Sequence, residues 1–414
     1  MKAIIIGAGI GGLTTALMLH SRGIDCEVFE QSPAIHELGV GINVLPIAIG
    51  ELAELGLIDA LDKVAIRTRE LIYMTRRGQQ VWHEARGLDA GFEHPQFSIH
   101  RGRLQAVIAR AVFERLGSDR VHLGQRLQDF QQDARGVQAS FIDARGQPGM
   151  SVSADLLIGA DGIHSTVRSH LFPQEGPPSW GGLMLWRGAT DWPAFQDGKT
   201  MLIAGGLGAK AVVYPIATGA HDGERLTNWA ILSRIGEAGT PPPRKQDWSR
   251  PGEREELMSR VGAFMLPQVD IAALIAATAE FWEYPMCDRD PLPRWSHGRI
   301  TLLGDAAHPM YPVGSNGASQ AILDSRCLAD ELSKGEVGIS DALARYEADR
   351  LPKTAAIVIS NRSGGPEGVI DAVEALAPDG FADIEAVLPL EERRKIVQGA
   401  TRLSSAAAAR PPQP

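Results

Sequence analysis

Met1-Lys2-Ala3-Ile4-Ile5-Ile6-Gly7-Ala8-Gly9-Ile10-Gly11-Gly12 opens the chain, and Cys26-Glu27-Val28-Phe29-Glu30 follows a short distance on. The apolar run predicts a buried strand over 3–6, the segment 12–20 a helix, and 26–29 a second strand. Between strand and helix lies a Gly-x-Gly-x-x-Gly loop. Gly7 permits the tight turn, Gly9 lets backbone approach a pyrophosphate, and Gly12 allows the helix to pack closely. The free N–H groups at the positive helix end would hold the phosphates. Glu30, closing the second strand, stands where an acid accepts the ribose hydroxyls of an adenosine. The glycine string alone is weak. Strand, loop, helix, strand and acid in that order point to a dinucleotide site, with NAD and FAD both open at this point.

Further along, strand-like runs stand at 121–123, 137–141 and 151–158. The block 184–231 differs. Its runs Leu183–Trp186, Met201–Ala204, Ala211–Tyr214 and Asn228–Leu232 are separated by turn residues with little helix, which predicts an antiparallel sheet and a second domain. Gly205-Gly206-Leu207-Gly208 leads into no helix and reads as a hairpin turn, so a nicotinamide cofactor has no domain of its own. The run Gly-Thr-Pro-Pro-Pro over 239–243 is a loop. A strand over 300–303 and helices over 317–332 and 340–361 return the pattern to that of the first domain.

The expected fold is α/β, a Rossmann-like dinucleotide domain interleaved with a mostly antiparallel β-sheet substrate domain, followed by a helical C-terminal region. Residues 1–72, 98–175 and 285–335 are assigned to the first domain, and 73–97 and 176–284 to the second. Residues 336–405 are assigned to C-terminal helices, and 406–414, alanine and proline, to a disordered tail.

The chain has 414 residues, 22% of them charged, with a net charge of −9. That acidity argues against nucleic acid as a partner, because phosphate binding needs concentrated Lys and Arg. No apolar stretch approaches the roughly 20 residues that span a bilayer, and the start lacks the apolar core of a signal peptide. Cys26, Cys287 and Cys327 are too scattered for a disulfide framework or a zinc site. A cytoplasmic, metal-free monomer or homodimer is expected.

Two distant motifs decide between the cofactors. One is Asp155-Leu156-Leu157-Ile158-Gly159-Ala160-Asp161-Gly162-Ile163-His164-Ser165-Thr166-Val167-Arg168. The other is Gly304-Asp305-Ala306-Ala307-His308-Pro309, followed by Pro312, Gly314, Asn316 and Gly317. With the glycine loop, these resemble the flavoprotein aromatic hydroxylases of the para-hydroxybenzoate and salicylate hydroxylase type. Asp305 follows an apolar strand, where its carboxylate could accept hydroxyls of a ribityl chain, which FAD has and NAD lacks. The turn Gly314–Gly317 opens a helix whose positive end would stabilise charge on a flavin. Asn316 is compatible with an ordinary N-cap as well. The resemblance implies non-covalent FAD, with Arg101 and Gln105 of Ser98-Ile99-His100-Arg101-Gly102-Arg103-Leu104-Gln105 contacting the cofactor and Pro312 on the flavin face. It also implies that Asp161 and Arg168 brace the pyrophosphate; an Asp–Arg pair of purely structural purpose is the competing reading. Gly39-Val40-Gly41-Ile42-Asn43, Leu185-Trp186-Arg187-Gly188 and the run from Tyr284 to Pro293 are most similar to the phenazine-modifying branch of that family. The likeness fades after Arg362.

The implied reaction uses NADH or NADPH to reduce FAD and O2 to form a flavin C4a-hydroperoxide, whose distal oxygen goes to an electron-rich, carboxylated aromatic or heteroaromatic ring. Trp186, Tyr214 and Trp229 could stack on the substrate and Arg187 could meet its carboxylate; equally, the aromatics could fill a core and Arg187 pair with a structural acid. Tyr73, His83, Arg187 and Tyr214 are the candidates for acid–base work. Tyr214, before a proline at a strand end, is the first choice. An FAD oxidase or dehydrogenase that incorporates no oxygen, and a non-catalytic binding protein, stay open as alternatives.

Overall fold

The computed structural model describes residues 1–35, 40–244, 247, 250–335 and 338–408. Gly39 of the glycine-rich run quoted above lies outside them. The first strand, Lys2–Ile6, is buried almost throughout and sits at the centre of a parallel sheet. The order is Ile300–Leu302, Leu156–Gly159, Lys2–Ile6, Asp25–Glu30, Val121–Leu123. Near-continuous apolar sequence suits such strands, which are covered on both faces. The helix Ile10–Ser21 follows the glycine loop with no side-chain cap, so its first N–H groups stay available. It packs against Arg101–Leu116 and Asn316–Ser333, and Thr15 bonds Ser325 across the latter contact at 2.9 Å.

The run expected as one strand over 151–158 is two. Pro148–Ala154 belongs to an antiparallel meander with Val137–Ile142 and Arg126–Gln132, whereas Leu156–Gly159 joins the parallel sheet. Asp155 marks the break, where its carboxylate accepts the Lys2 N–H at 2.6 Å.

The second sheet has seven strands among the described residues, in the order Phe281–Asp288, Ser179–Pro193, Glu224–Arg234, Ala209–Thr218, Thr200–Ala204, Glu70–Met74, Gln80–Ala85. Every pairing is antiparallel except Thr200–Ala204 with Glu70–Met74. Gly205–Gly208 is the turn of a hairpin, with Gly205 at φ +77°. Side chains alternate between faces along a strand, and here both faces are buried. Met184, Trp186, Leu202, Val213 and Trp229 pack one way, against the helices Arg254–Val261 and Ile271–Ala277. Leu71, Tyr73, Met201, Ile203 and Tyr214 pack the other way, near Val369, Ile370, Val373, Leu388 and Val397 of the C-terminal region. A small three-stranded sheet of Gly41–Val44, Gln96–His100 and Ala65–Thr68 is interleaved with the two large ones in sequence.

The helix Ile339–Arg362 is continuous through Pro352. The last helix, Leu390–Ala408, runs past Ala406, and 409–414 lie outside the described residues. Among the described residues no helix is long and apolar enough to cross a membrane.

Candidate active site

A cleft opens where the C-terminal ends of the parallel strands meet the seven-stranded sheet, the expected place for a ligand in an open α/β sheet. Its nucleotide wall is made of backbone. Gly7 has φ +104°, and a Cβ there would stand 2.5 Å from the Ala160 carbonyl. A Cβ on Gly12 would stand 1.9 Å from the Gly7 carbonyl, so only glycine lets the helix start this close. At Gly9 a Cβ would meet nothing within 4 Å. The loop is therefore closed on the protein side and open on the cleft side.

Side chains brace this loop. Glu30 accepts the Ala8 N–H at 2.8 Å and, with its other oxygen, the Ser32 N–H at 2.8 Å. Gln105 donates to the Ala8 carbonyl at 2.7 Å. The Asp161–Arg168 pair is not formed. Asp161 instead accepts Ser165 Oγ at 2.5 Å and the N–H groups of Thr166 and Val167, capping the short helix Thr166–Leu171. Burial is the main influence on Asp161 and leaves its pKa raised despite these bonds. Arg168, 1% exposed, is held bidentately by Glu175 and donates to the carbonyls of Ala306 and Ala307 at 3.1 and 2.9 Å. It fastens the chain next to Asp305 rather than reaching a ligand.

Asp305 follows the strand Ile300–Leu302 and lines the cleft, and no protein donor bonds its carboxylate among the described residues. Burial pushes its pKa up, opposed by His308 and Arg101. Arg101, first residue of its helix, lines the same cleft, where burial lowers its pKa and Asp305 raises it. Across the cleft the helix Asn316–Ser333 starts from Ser315, a non-glycine residue held at φ +59°, after Gly314 at φ +64°. Pro312, Gly314, Asn316 and Gly317 all line the cavity. Asn316 is the first helical residue rather than the cap.

Beneath this turn lies a buried polar cluster that the sequence reading missed. Asp324 accepts His308 Nε2 at 2.6 Å, Arg350 Nε at 2.7 Å and the Gly304 N–H at 3.1 Å. Burial alone would raise the Asp324 pKa; His308 and Arg350 outweigh it and hold the carboxyl at about 2. The cluster ties the Gly304–Asp305 turn to the helix whose N-terminus faces the cleft.

The opposite wall is the seven-stranded sheet. Leu185, Arg187, Met201, Ile203, Val212, Tyr214, Ala230, Leu232 and Tyr284 face the cavity. Arg187 donates to Tyr284 Oη at 3.1 Å and to the Gly41 carbonyl, and Tyr214 lies beside it. Burial disfavours the Arg187 charge, but the two tyrosine hydroxyls more than offset this, and its pKa lies above the usual value. Burial lifts the Tyr214 pKa to about 12 against the pull of Arg187, so the phenol keeps its proton while its oxygen accepts from Arg187.

Trp186 and Trp229 do not reach the cavity. They point to the other face of the sheet, fully buried, and bond Glu283 at 3.0 Å and Thr278 at 2.8 Å. The cause is strand alternation: Leu185 and Arg187 face the cleft, so Trp186 between them cannot. His83 is also misplaced as a candidate, lying at the surface against Glu70 at 2.8 Å. Tyr73 lines the cavity, and Arg86, Gln96, Lys210 and Glu367, none of them singled out from sequence, line it too. Gln96 Oε1 is buried there with no hydrogen-bond partner.

A glycine cradle backed by a helix N-terminus, plus an acceptor without a protein donor at the far end, fits an extended dinucleotide whose second half carries hydroxyls. A family model described as FAD binding domain matches residues 1–360. Phenazine 1,6-dicarboxylic acid hydroxylase PhzS of Lysobacter antibioticus is 45% identical over 364 residues, covering 87% of this chain and 88% of that protein. 3-Hydroxybenzoate 6-hydroxylase 1 of Aquipseudomonas alcaligenes is 31% identical over 369 residues, 87% of each chain. In fold, the chain is similar to Klebsiella pneumoniae HpxO complexed with FAD and uric acid, with a TM-score of 0.74 at 24% identity over 98% of this chain and 97% of that one.

Proposed function

This chain belongs to the FAD-dependent aromatic hydroxylases, and on that premise we propose that it hydroxylates a carboxylated, fused aromatic or heteroaromatic compound, with NADH or NADPH as reductant. The observation that carries the reading is Arg187, a cation with no carboxylate partner among the described residues, set into the apolar floor of the cavity. Its hydrogen bonds go to neutral partners, Tyr284 and the Gly41 carbonyl, so its charge is left for an anionic group on the substrate to meet. The Lysobacter antibioticus relative is named for phenazine 1,6-dicarboxylic acid, a fused aromatic diacid, which supports a flat, carboxylated substrate of that size.

When bound, FAD supplies the redox chemistry, taking electrons from the nicotinamide and activating dioxygen for transfer to the ring. Asp305 would accept hydroxyls of the ribityl chain. The N–H groups at the start of Asn316–Ser333 would meet the electron-rich edge of the ring system, with Pro312 over its face and Arg101 alongside. Glu30, Gln105 and Asp161 act on the cofactor through the loops they brace. Arg187 orients the substrate carboxylate, and Tyr214, which keeps its proton, donates a hydrogen bond to the same group. The leucine, valine and isoleucine side chains of the floor keep water from the reacting atoms. We place the protein in the cytoplasm as a monomer or homodimer acting on small molecules; its three cysteines are buried and unpaired, as suits a reducing compartment.

The test is substrate-stimulated oxidation of NADH and NADPH with phenazine-1-carboxylate, salicylate, hydroxybenzoates and their decarboxylated analogues. The aromatic acids should stimulate and the neutral analogues should do so at least several-fold less. Equal stimulation by both sets would remove Arg187 as the anchor, and stimulation by non-aromatic compounds alone would remove the substrate class.

A further inference from the structure

Lys210 and Glu367 form an ion pair at 2.5 Å with side chains 5% and 6% exposed, and both line the cavity. Lys210 stands on the strand Ala209–Thr218 at the same side-chain phase as Val212 and Tyr214. Glu367 ends the turn Gly365–Glu367, beyond the last residue that the family model matches. An ion pair buried against apolar side chains often gives a fold no more stability than apolar residues of the same volume. Its place in the cavity wall therefore asks for a reason outside stability.

Strand register gives the layout of the floor. Lys210 pairs with Leu232, which pairs with Leu185; Arg187 pairs with Ala230, which pairs with Val212. Arg187 and Lys210 are thus two strands and one side-chain row apart, on the order of 12 Å between backbones from ordinary strand spacing. Val212, Ala230 and Leu232 lie between them on the cavity face. That is a flat apolar floor long enough for several fused rings, with polar groups at both ends. The ends differ in charge. Lys210 is neutralised by Glu367, and Arg86 nearby by Glu84. Arg187 has no carboxylate partner among the described residues, and its Nε is buried without an acceptor. Of the three floor cations Arg86, Arg187 and Lys210, Arg187 alone has no carboxylate beside it among the described residues.

We infer that Lys210 and Glu367 form a second substrate anchor, which takes the neutral, heteroatom-bearing end of a fused polycyclic monoacid whose carboxylate lies on Arg187. The inference rests on the aromatic-acid hydroxylase reading and sharpens it. The pair presents an N–H donor and a carboxylate acceptor together, which suits a ring nitrogen, hydroxyl or amide. Glu367 repels a second carboxylate at that end, so it sets how many charges the substrate carries.

The test is calorimetric titration of the FAD-loaded protein with phenazine-1-carboxylate, phenazine-1,6-dicarboxylate and salicylate. Wild type should bind the monoacid more tightly than the diacid. Glu367→Gln leaves Lys210 uncompensated and should shift the ratio toward the diacid by roughly tenfold or more, the scale of one charge pairing. The double change Lys210→Met with Glu367→Leu fills the same volume with apolar atoms and should fold as wild type, checked by circular dichroism. It should weaken phenazine-1-carboxylate several-fold and leave salicylate, too short to reach from Arg187 to the pair, unchanged. Should Glu367→Gln not fold, the double variant decides. Binding of the phenazine acids with unchanged ratios in the variants overturns this inference alone; no binding of any aromatic acid to wild type overturns the hydroxylase reading and this inference with it.

Discussion

The cofactor cleft and the substrate floor face each other across one cavity, yet they are built in different ways. The cleft is made of backbone: Gly7, Gly9 and Gly12 in one loop, and Gly314 to Gly317 at a helix start, with the Asp305 carboxylate facing the cleft between them. Its other polar residues, Glu30, Gln105, Asp161 and Arg168, bond the loops that form it. The floor is made of side chains that stand on alternate positions of separate strands, from Tyr73 to Tyr284, with Glu367 added by the C-terminal region. A fixed ligand can be held by main-chain geometry that few residue changes disturb. A variable one is met by side chains that can change without altering the sheet beneath them.

The largest expected difference between the two regions is in stability. Asp324→Ala strips a buried carboxylate from His308 and Arg350 under the cleft, and should cost about 3–5 kcal/mol by chemical denaturation. The Asp324 pKa is depressed to about 2 in the folded protein. Its contribution is therefore present above the unfolded carboxylate value near ~4 and is lost as pH falls toward 2. Wild type should lose part of its stability across that window, and the alanine variant should lack that component. A smaller effect belongs to Asp305→Ala, which should weaken FAD by about 3 kcal/mol and leave the fold intact, because no donor among the described residues bonds this carboxylate. Fluorescence titration of the apoprotein measures it; an apoprotein that unfolds only in the variant makes Asp305 a core element instead.

On the floor, Arg187→Met should raise KM for an aromatic acid by an amount worth about 2 kcal/mol and leave FAD affinity as it was. A matching loss of FAD would mean that the two regions are not separable at Arg187. The smallest effect is expected from Trp186→Phe, about 1 kcal/mol of stability for the bond lost to Glu283, with substrate affinity unmoved. A change in affinity without one in stability would put Trp186 back at the site.

The same contrast explains what the amino-acid sequence alone carries. The glycine loop, the Asp305 motif and the Gly314 turn were legible because each is written in consecutive residues with a local backbone requirement. The seven-stranded sheet was legible as a sheet, but not its phase. In Leu185-Trp186-Arg187 both faces are buried, so no solvent-facing polar residue tells which side chain meets the cavity. Lys210, a charge among Ala209, Ala211, Val212 and Val213, is the one local clue to that phase in this stretch. Asp161 looked like a ligand group because Asp-Gly follows an apolar strand; its role as the cap of Thr166–Leu171 depends on where Ser165 and Thr166 fold back. Asp324 and Glu367 had no local signal, since their partners Arg350, His308 and Lys210 are remote in sequence or carry no recognisable spacing.

The central claim is that oxygen from O2 enters the ring held on this floor. Turnover of phenazine-1-carboxylate under ¹⁸O2 with NADH or NADPH, followed by mass spectrometry of the product, tests it directly. A hydroxylase built as described gives a product carrying one ¹⁸O atom, with none from labelled water. A product oxidised without ¹⁸O, while the reduced nicotinamide is consumed, would contradict it and leave an oxidase in its place.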